Sequence, residues 1–345
     1  LQKMLAFAFV VFEAMVYVLM KGLQAQPGFS GLVIFQLALG GFLIIFMDEV
    51  VQKWGFGSGV SLFIAAGIGW RLFSQLFQFI GPQGTFEPAG RVLALFASLI
   101  SGDTTGVALA LFAILVTAGL FLLVVWAQSL KVEIPLSFDR VRGYGIKWPL
   151  QFFYAGVIPV ILVSALAANL QLAASLLENW IGHATFLGSF SNGTPIAGLA
   201  FWIHSTPLLQ TILTGSFRLI YLFQGIGHVL FYMLFSILFA FFWVSTSGQD
   251  AASQARNIMS SGLSIPGFRK DERVLESILK RYVGPLTIMG GAAIGLLASV
   301  ANLLGALVGG TAILLAVMIL YQLYQNIAQQ HAVDMNPALK GFFGA

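Results

Sequence analysis

The 345 residues contain no cysteine. Disulfides, thiolate catalysis and Cys-ligated metal are therefore excluded within them. Charge is scarce as well: Asp, Glu, Lys and Arg together make up 9% of the chain. The four histidines, His183, His204, His228 and His331, lie far apart in sequence with no ligand spacing among them, so no metal site is expected. There is no GxxxxGK[ST] loop, no GxGxxG, no HExxH and no Ser/His/Asp arrangement. Nucleotide hydrolysis, covalent catalysis and a bound cofactor are accordingly not expected, and the chain does not read as an enzyme.

What the chain has in abundance is apolar surface: 58% hydrophobic residues, 32 of them Phe, and a mean hydropathy of +0.90. A soluble globule of this composition would precipitate, so the expected fold class is an all-α, polytopic membrane protein. Eight apolar runs are long enough, or nearly so, to cross ~30 Å of hydrocarbon as helices: 4–24, 29–48, 58–81, 106–130, 149–176, 219–246, 284–304 and 307–327. The last two meet at "LLGALVGGT", which predicts a tight hairpin. Leu1 is not an initiator Met and the chain opens almost inside a span, so further helices are expected ahead of it.

Lys and Arg are retained on the cytoplasmic side of a membrane. With loops alternating sides, one side receives thirteen of the seventeen basic residues and the other keeps Lys21, Arg71, Arg91 and Arg218. The basic loops 131–149 and 249–283 are therefore expected to be cytoplasmic. The opposite side holds the long connections 82–105 and 177–218, whose pieces "GRVLALFASLI" and "GLAFWIHSTPLLQTILT" read as surface-lying or re-entrant.

The stretch 267–282, "GFRKDERVLESILKRY", carries eight charges in sixteen positions. Val274, Leu275, Ile278, Leu279 and Tyr282 recur at helical spacing, with acids first and Lys280 and Arg281 last, which predicts a short amphipathic helix. Pro266 and Gly267 turn the chain just before it and leave Arg269 and Lys270 at a tip. Such a tip is read either as orientation bias toward anionic lipid or as a dock for a polyanionic partner.

"MDEVVQKWGFGSGVSLFIAAG", "VEIPLSFDRVRG", "YAGVIPVILVSALAANLQL", "FWVSTSGQD", "IPGFRKDERVLESILKRYVGPLT" and "ANLLGALVGGTAILL" occur in this order along the chain. Together they resemble the large subunit of the Sec protein-conducting channel, the SecY family in its archaeal and eukaryotic branch. The resemblance implies a ten-helix channel of two inverted halves. Residues 1–105 would be the rest of the N-terminal half, from the third helix, and 106–345 the C-terminal half. The first two helices and the plug between them have no counterpart in the 345 residues.

The implied function is passive passage of secretory polypeptides across a prokaryotic plasma membrane, with lateral release of membrane-protein helices into lipid. The implied partners are the small Sec subunits of SecE/gamma and beta type, a nascent polypeptide with its signal sequence, and the ribosome. Ribosomal RNA is a phosphate surface, and the family's docking loops correspond to Arg140, Arg142 and Lys147 and to Arg269, Lys270, Arg273, Lys280 and Arg281. The pore ring that the family uses as a seal falls on Val60, Ile64, Ile161 and Leu315. Taken singly, each of these four also reads as ordinary helix packing. Glu13 and Asn169 lie deep in apolar runs, where a carboxylate costs ~2.5–3.5 kcal/mol unless neutral, paired or wet. The family places matching residues in a polar cluster at its lateral gate; from the residues alone, an interhelical hydrogen bond used as glue stays open.

Pro159 is expected to bend the gate helix. Gly291 with Gly295, and Gly305 with Gly309, read as small-xxx-small packing pairs. "NGT" at 192–194 reads as a turn. The competing class is a secondary transporter of small solutes, which would need several ion-coordinating side chains at membrane depth.

Overall fold

The computed structural model describes residues 2–19, 23, 26, 28–55, 59–81, 89–138, 145–191, 193–264 and 271–335. The chain divides into two compact units, residues 1–67 with 319–345 and residues 68–318. Helices α3 (Gly59–Phe77) and α12 (Gly310–Met335) run across the division.

In the first unit, α1 (Gln2–Leu19) packs on α2 (Ser30–Trp54). The contact is aromatic: the Phe7 ring lies 5.2 Å from Phe42, edge-on, and 5.7 Å from Phe46. Phe42 and Phe46 are one helical turn apart, so a single ring is gripped between them.

The larger unit contains α4 (Arg91–Ser101), α5 (Thr104–Ser129), α6 (Ile158–Ile181), α7 (Gly198–Ile203), α8 (Leu208–Leu213), α9 (Leu219–Thr246), α10 (Ala251–Ser260) and α11 (Glu272–Leu303). Its central seam is α9 against α11. Gly291 and Gly295 face Ile237 and Tyr232 there, so the paired glycines act as the expected close-packing surface. Asp103, Asp250 and Asp271 accept backbone N–H bonds at the starts of α5, α10 and α11. Seven helices among the described residues, including α9 merged with α10, are long and apolar enough to cross a membrane. They correspond to seven of the eight expected spans, and the first expected span is the 18-residue α1.

Two small sheets accompany the helices. Strands β1 (Lys131–Phe138), β2 (Gly145–Gln151) and β5 (Leu263–Ser264) form an antiparallel sheet in the order β2-β1-β5. Strands β3 (Ser189–Ser191) and β4 (Thr194–Ala197) form a hairpin. Gly193 sits between β3 and β4 at φ +77°, so the expected turn at 192–194 is present around it, with Asn192 outside the described residues.

Four expectations are corrected. The span expected at 149–176 is helical only from Ile158, because Lys147 to Gln151 pair with Lys131 to Pro135 as strands and a turn at 153–157 follows. Pro159 therefore stands in the first turn of α6, where its missing N–H leaves no helical bond unmade, and it does not bend the helix interior. The amphipathic segment after Asp271 is not a separate helix: α11 continues for 32 residues through Pro285 into the following span. The fourth concerns Gly305, which is a turn residue at φ +71° rather than a packing surface. It lies in the expected tight hairpin between α11 and α12, where Asn302 Oδ1 accepts the Gly310 N–H at 2.7 Å.

Candidate functional site

Of the four pore-ring positions, Val60 and Ile64 lie one turn apart on α3 in the smaller unit, Val60 38% exposed and Ile64 half-buried. The start of α3 is fastened to α2. Asp48 Oδ1 accepts the Val60 backbone N–H at 2.9 Å, and Gln52 Nε2 donates to Asp48 Oδ2 at 2.8 Å. Beside it, Glu49 Oε1 receives Lys3 Nζ from α1 at 2.8 Å and Lys53 Nζ at 2.9 Å.

Ile161 and Leu315 belong to the larger unit and are both half-buried. Because α6 begins at Ile158, Ile161 occupies its first turn and not the middle of a longer span. Leu315 lies in the second turn of α12. The two polar residues of the expected gate are both exposed, Glu13 on α1 and Asn169 at the middle of α6. Neither side chain has a hydrogen-bond partner among the described residues. Two polar groups on apolar helices therefore present themselves outward, with no internal satisfaction from the helices that carry them.

The basic loops share one foundation. Leu275 and Leu279 of α11 are buried in a cluster with Ile134 of β1, Leu150 of β2 and Ala255 and Ile258 of α10. The helical spacing expected from the sequence thus has an apolar seat, and Arg273, Lys280 and Arg281 remain on the exposed side. Arg256 Nε pairs with Glu272 at 3.3 Å, linking α10 to the start of α11. Lys147 Nζ meets Glu133 Oε2 at 2.8 Å across the hairpin. This hydrogen bond and charge hold the Glu133 carboxyl below its ordinary range and push the Lys147 ammonium up. Arg140, Arg142, Arg269 and Lys270 lie outside the described residues. The strands that lead to them are neighbours, since Ser137 pairs with Ser264 and Phe138 with Leu263.

Several polar links have no counterpart in the sequence reading. Tyr154 donates its hydroxyl to the Gln249 carbonyl at 2.6 Å and ties the entry of α6 to the end of α9. Burial, then the charge of Asp250, pushes this phenol up to about 12. Buried Thr117 on α5 accepts the Leu307 N–H at 2.9 Å, which fixes the α11–α12 hairpin against α5. Buried Gln224 of α9 accepts from Thr206 and donates to the Phe201 carbonyl, anchoring the α7–α8 segment. Asp48 and Glu49 carried a visible signal, two adjacent acids just ahead of "GFGSG".

A family model described as SecY matches residues 1–324. The chain belongs to the SecY family. The protein translocase subunit SecY of Methanothermobacter thermautotrophicus is 41% identical over 350 residues, covering 100% of this chain and 75% of that protein. The subunit of the same name from Pyrococcus furiosus is 36% identical, covering 100% of this chain and 76% of the relative. Among solved structures, one described as a protein-conducting channel superposes with a TM-score of 0.79 at 35% identity, over 98% of this chain and 74% of that one. Sec61 in a canine ribosome–channel complex from the endoplasmic reticulum gives 0.76 at 33% identity, over 98% and 74%. This SecY-family chain is a multi-pass membrane protein whose helical fold is that of the SecY and Sec61 channels.

Proposed function

We propose that the chain is the large subunit of a passive protein-conducting channel, which passes secretory polypeptides across the membrane and releases membrane-protein helices sideways into lipid. The observation that carries this reading is likeness over the whole chain, in sequence and in fold, to proteins named as translocase subunits and to a protein-conducting channel. In this reading Val60, Ile64, Ile161 and Leu315 supply the aliphatic constriction. Branched aliphatics shed water and close around a passing chain, so ions are held back while a polypeptide slides through. Residues 1–105 and 106–345 are the parts of the channel's two halves. The solute-transporter reading is not favoured, since the relatives are translocase subunits.

Glu13 and Asn169 take the role of polar gate residues. Both are exposed on their helices and need polar partners from elsewhere in the channel. Asn169→Leu is expected to shift gate opening by about 1–2 kcal/mol, the worth of one interhelical hydrogen bond in lipid. Photocrosslinking of a signal sequence to probes flanking the seam measures the shift. Equal crosslinking in parent and variant refutes the gate assignment, and a channel that crosslinks no signal sequence at all refutes the function.

The chain supplies passage and a partner supplies force, for which a translating ribosome is the proposed source. The basic loops 131–149 and 249–283 are assigned to the cytoplasmic face of a prokaryotic plasma membrane, where they meet ribosomal RNA, while SecE/gamma-type and beta-type small subunits complete the complex. Support for a single docking surface comes from the apolar seat shared by the β1–β2 hairpin, α10 and α11, and from the pairing of β1 with β5 beside both basic tips. Reversing Arg142 and Arg269 together is expected to weaken ribosome binding and reduce the slope of log K against log salt by about 1.5, as loss of two phosphate contacts requires. Flotation of channel-bearing vesicles with ribosomes over a salt series reads both quantities. An unchanged slope would return these arginines to orientation of the chain alone.

A further inference from the structure

We infer that Asp48 is a positioning residue for the channel seal, acting as an N-cap lent to α3 by the neighbouring helix α2. The first N–H groups of any helix lack intrahelical acceptors, and a carboxylate at that end is favoured by both hydrogen bonding and the helix dipole. Asp48 Oδ1 takes one of these, the Val60 N–H, at 2.9 Å. Its second oxygen is held by Gln52 Nε2 from the next turn of α2, at 2.8 Å, which fixes the carboxylate's direction. The close approach depends on Gly59. A Cβ there would stand 2.7 Å from Asp48 Cα and 3.2 Å from its Oδ1, so backbone meets backbone where the two helices touch.

Glu49 extends the arrangement to a third helix, because Lys3 of α1 and Lys53 of α2 both close on its Oε1. Two adjacent acids thus fasten the ends of three helices: Glu49 holds α1 to α2, and Asp48 holds α2 to α3. The rotation and height of α3 at its start decide where Val60 and, one turn on, Ile64 project. A bond to the backbone of Val60 itself is the most direct way to set them. The inference concerns residues 1–67 and rests on the proposal that Val60 lines the constriction.

The 345 residues hold no cysteine, so Val60→Cys adds a single thiol to them as a reporter. In the full-length chain assembled in its channel complex, the rate at which a water-soluble maleimide modifies this thiol is compared with Asp48 intact, Asp48→Asn and Asp48→Ala. Ion conductance in planar bilayers is recorded for the same Asp48 variants with Val60 native. Asp48→Ala is expected to change the modification rate by about fivefold, the population shift that loss of one cap brings, and to raise conductance. Asp48→Asn keeps an oxygen for the Val60 N–H, and the Gln52 amide can turn so that its oxygen accepts from the new Nδ2, so this variant is expected to retain both parent values. Gly59→Ala should reproduce the alanine phenotype with the carboxylate still in place, and Asp48→Glu serves where Asp48→Ala does not assemble. An unchanged modification rate in Asp48→Ala, or in Asp48→Glu where that is the variant that assembles, and in Gly59→Ala overturns the positioning role. A changed rate with unchanged conductance keeps Asp48 as the cap and instead removes Val60 from the seal.

Discussion

Ile161→Asp is expected to turn the resting channel into one that leaks ions. Ile161 stands in the first turn of α6, and an acid near a helix N-terminus is favoured by the dipole, so the substitution should not unravel the helix that carries it. Its effect falls on the space the side chain faces. A closed aliphatic ring keeps water out because no group in it offers a hydrogen bond. A carboxylate without water costs at least ~2 kcal/mol, and hydration relieves that cost only by wetting the constriction. At about 1.4 kcal/mol per factor of ten, the wet state gains more than about tenfold in population. Leu315→Asp is expected to behave alike, and Ile161→Leu, which stays apolar, to remain tight. Single-channel recording of the three variants in planar bilayers decides it. If neither aspartate conducts more than the parent, these side chains do not line the constriction.

The spans were legible because a helix in lipid must satisfy its own backbone and needs about twenty apolar residues to do so. That rule has no purchase where an apolar run is partly strand. "KWPLQFFYAG" is hydrophobic enough to open a span, yet Lys147 to Gln151 pair with β1, and Pro149 sits opposite Glu133. Nothing in the periodicity separates the two fates, since two prolines in the hairpin argue against strand as much as against helix. The continuity of α11 was not legible, because the charged segment ending at 282 and the apolar run from 284 read as two elements. The helix runs on through Pro285 with Val283 and Leu286 buried on either side, so packing holds it together where local preference would end it. The amphipathic face of α11 was legible because Leu275 and Leu279 follow the helical repeat. The adjacent acids Asp48 and Glu49 were visible, but the bond that Asp48 makes was not, because its partner is a backbone N–H twelve residues away and a main-chain donor leaves no mark in a sequence.

The seam between α9 and α11 gives the sharpest expectation for assembly. Gly291 and Gly295 are one turn apart on α11, and sequence alone treats them as equivalent members of a small-residue pair. The structure does not. A Cβ at Gly291 would stand 3.1 Å from the Ala240 Cβ, the Ile237 Cα and the Ser236 carbonyl, a tight fit that a shift of a few tenths of an ångström relieves. At Gly295 it would stand 2.6 Å from the Tyr232 carbonyl oxygen and 2.8 Å from the Met233 Cα. Those are backbone atoms of α9, which cannot rotate away, so the two helices must separate along a seam where Ile294, Ala298 and Ala240 are fully buried. Replacing glycine by alanine in a helix interior gains about 1 kcal/mol, whereas overpacking a core costs about 1–3 kcal/mol. At Gly291 the two nearly cancel, and Gly291→Ala is expected to match the parent. At Gly295 the cost reaches the upper end of its range, and Gly295→Ala is expected to lose about 2 kcal/mol net. Unfolding of the purified chain in detergent, followed for both variants, separates them, and equal stability would mean that α9 and α11 do not approach backbone to backbone at Gly295.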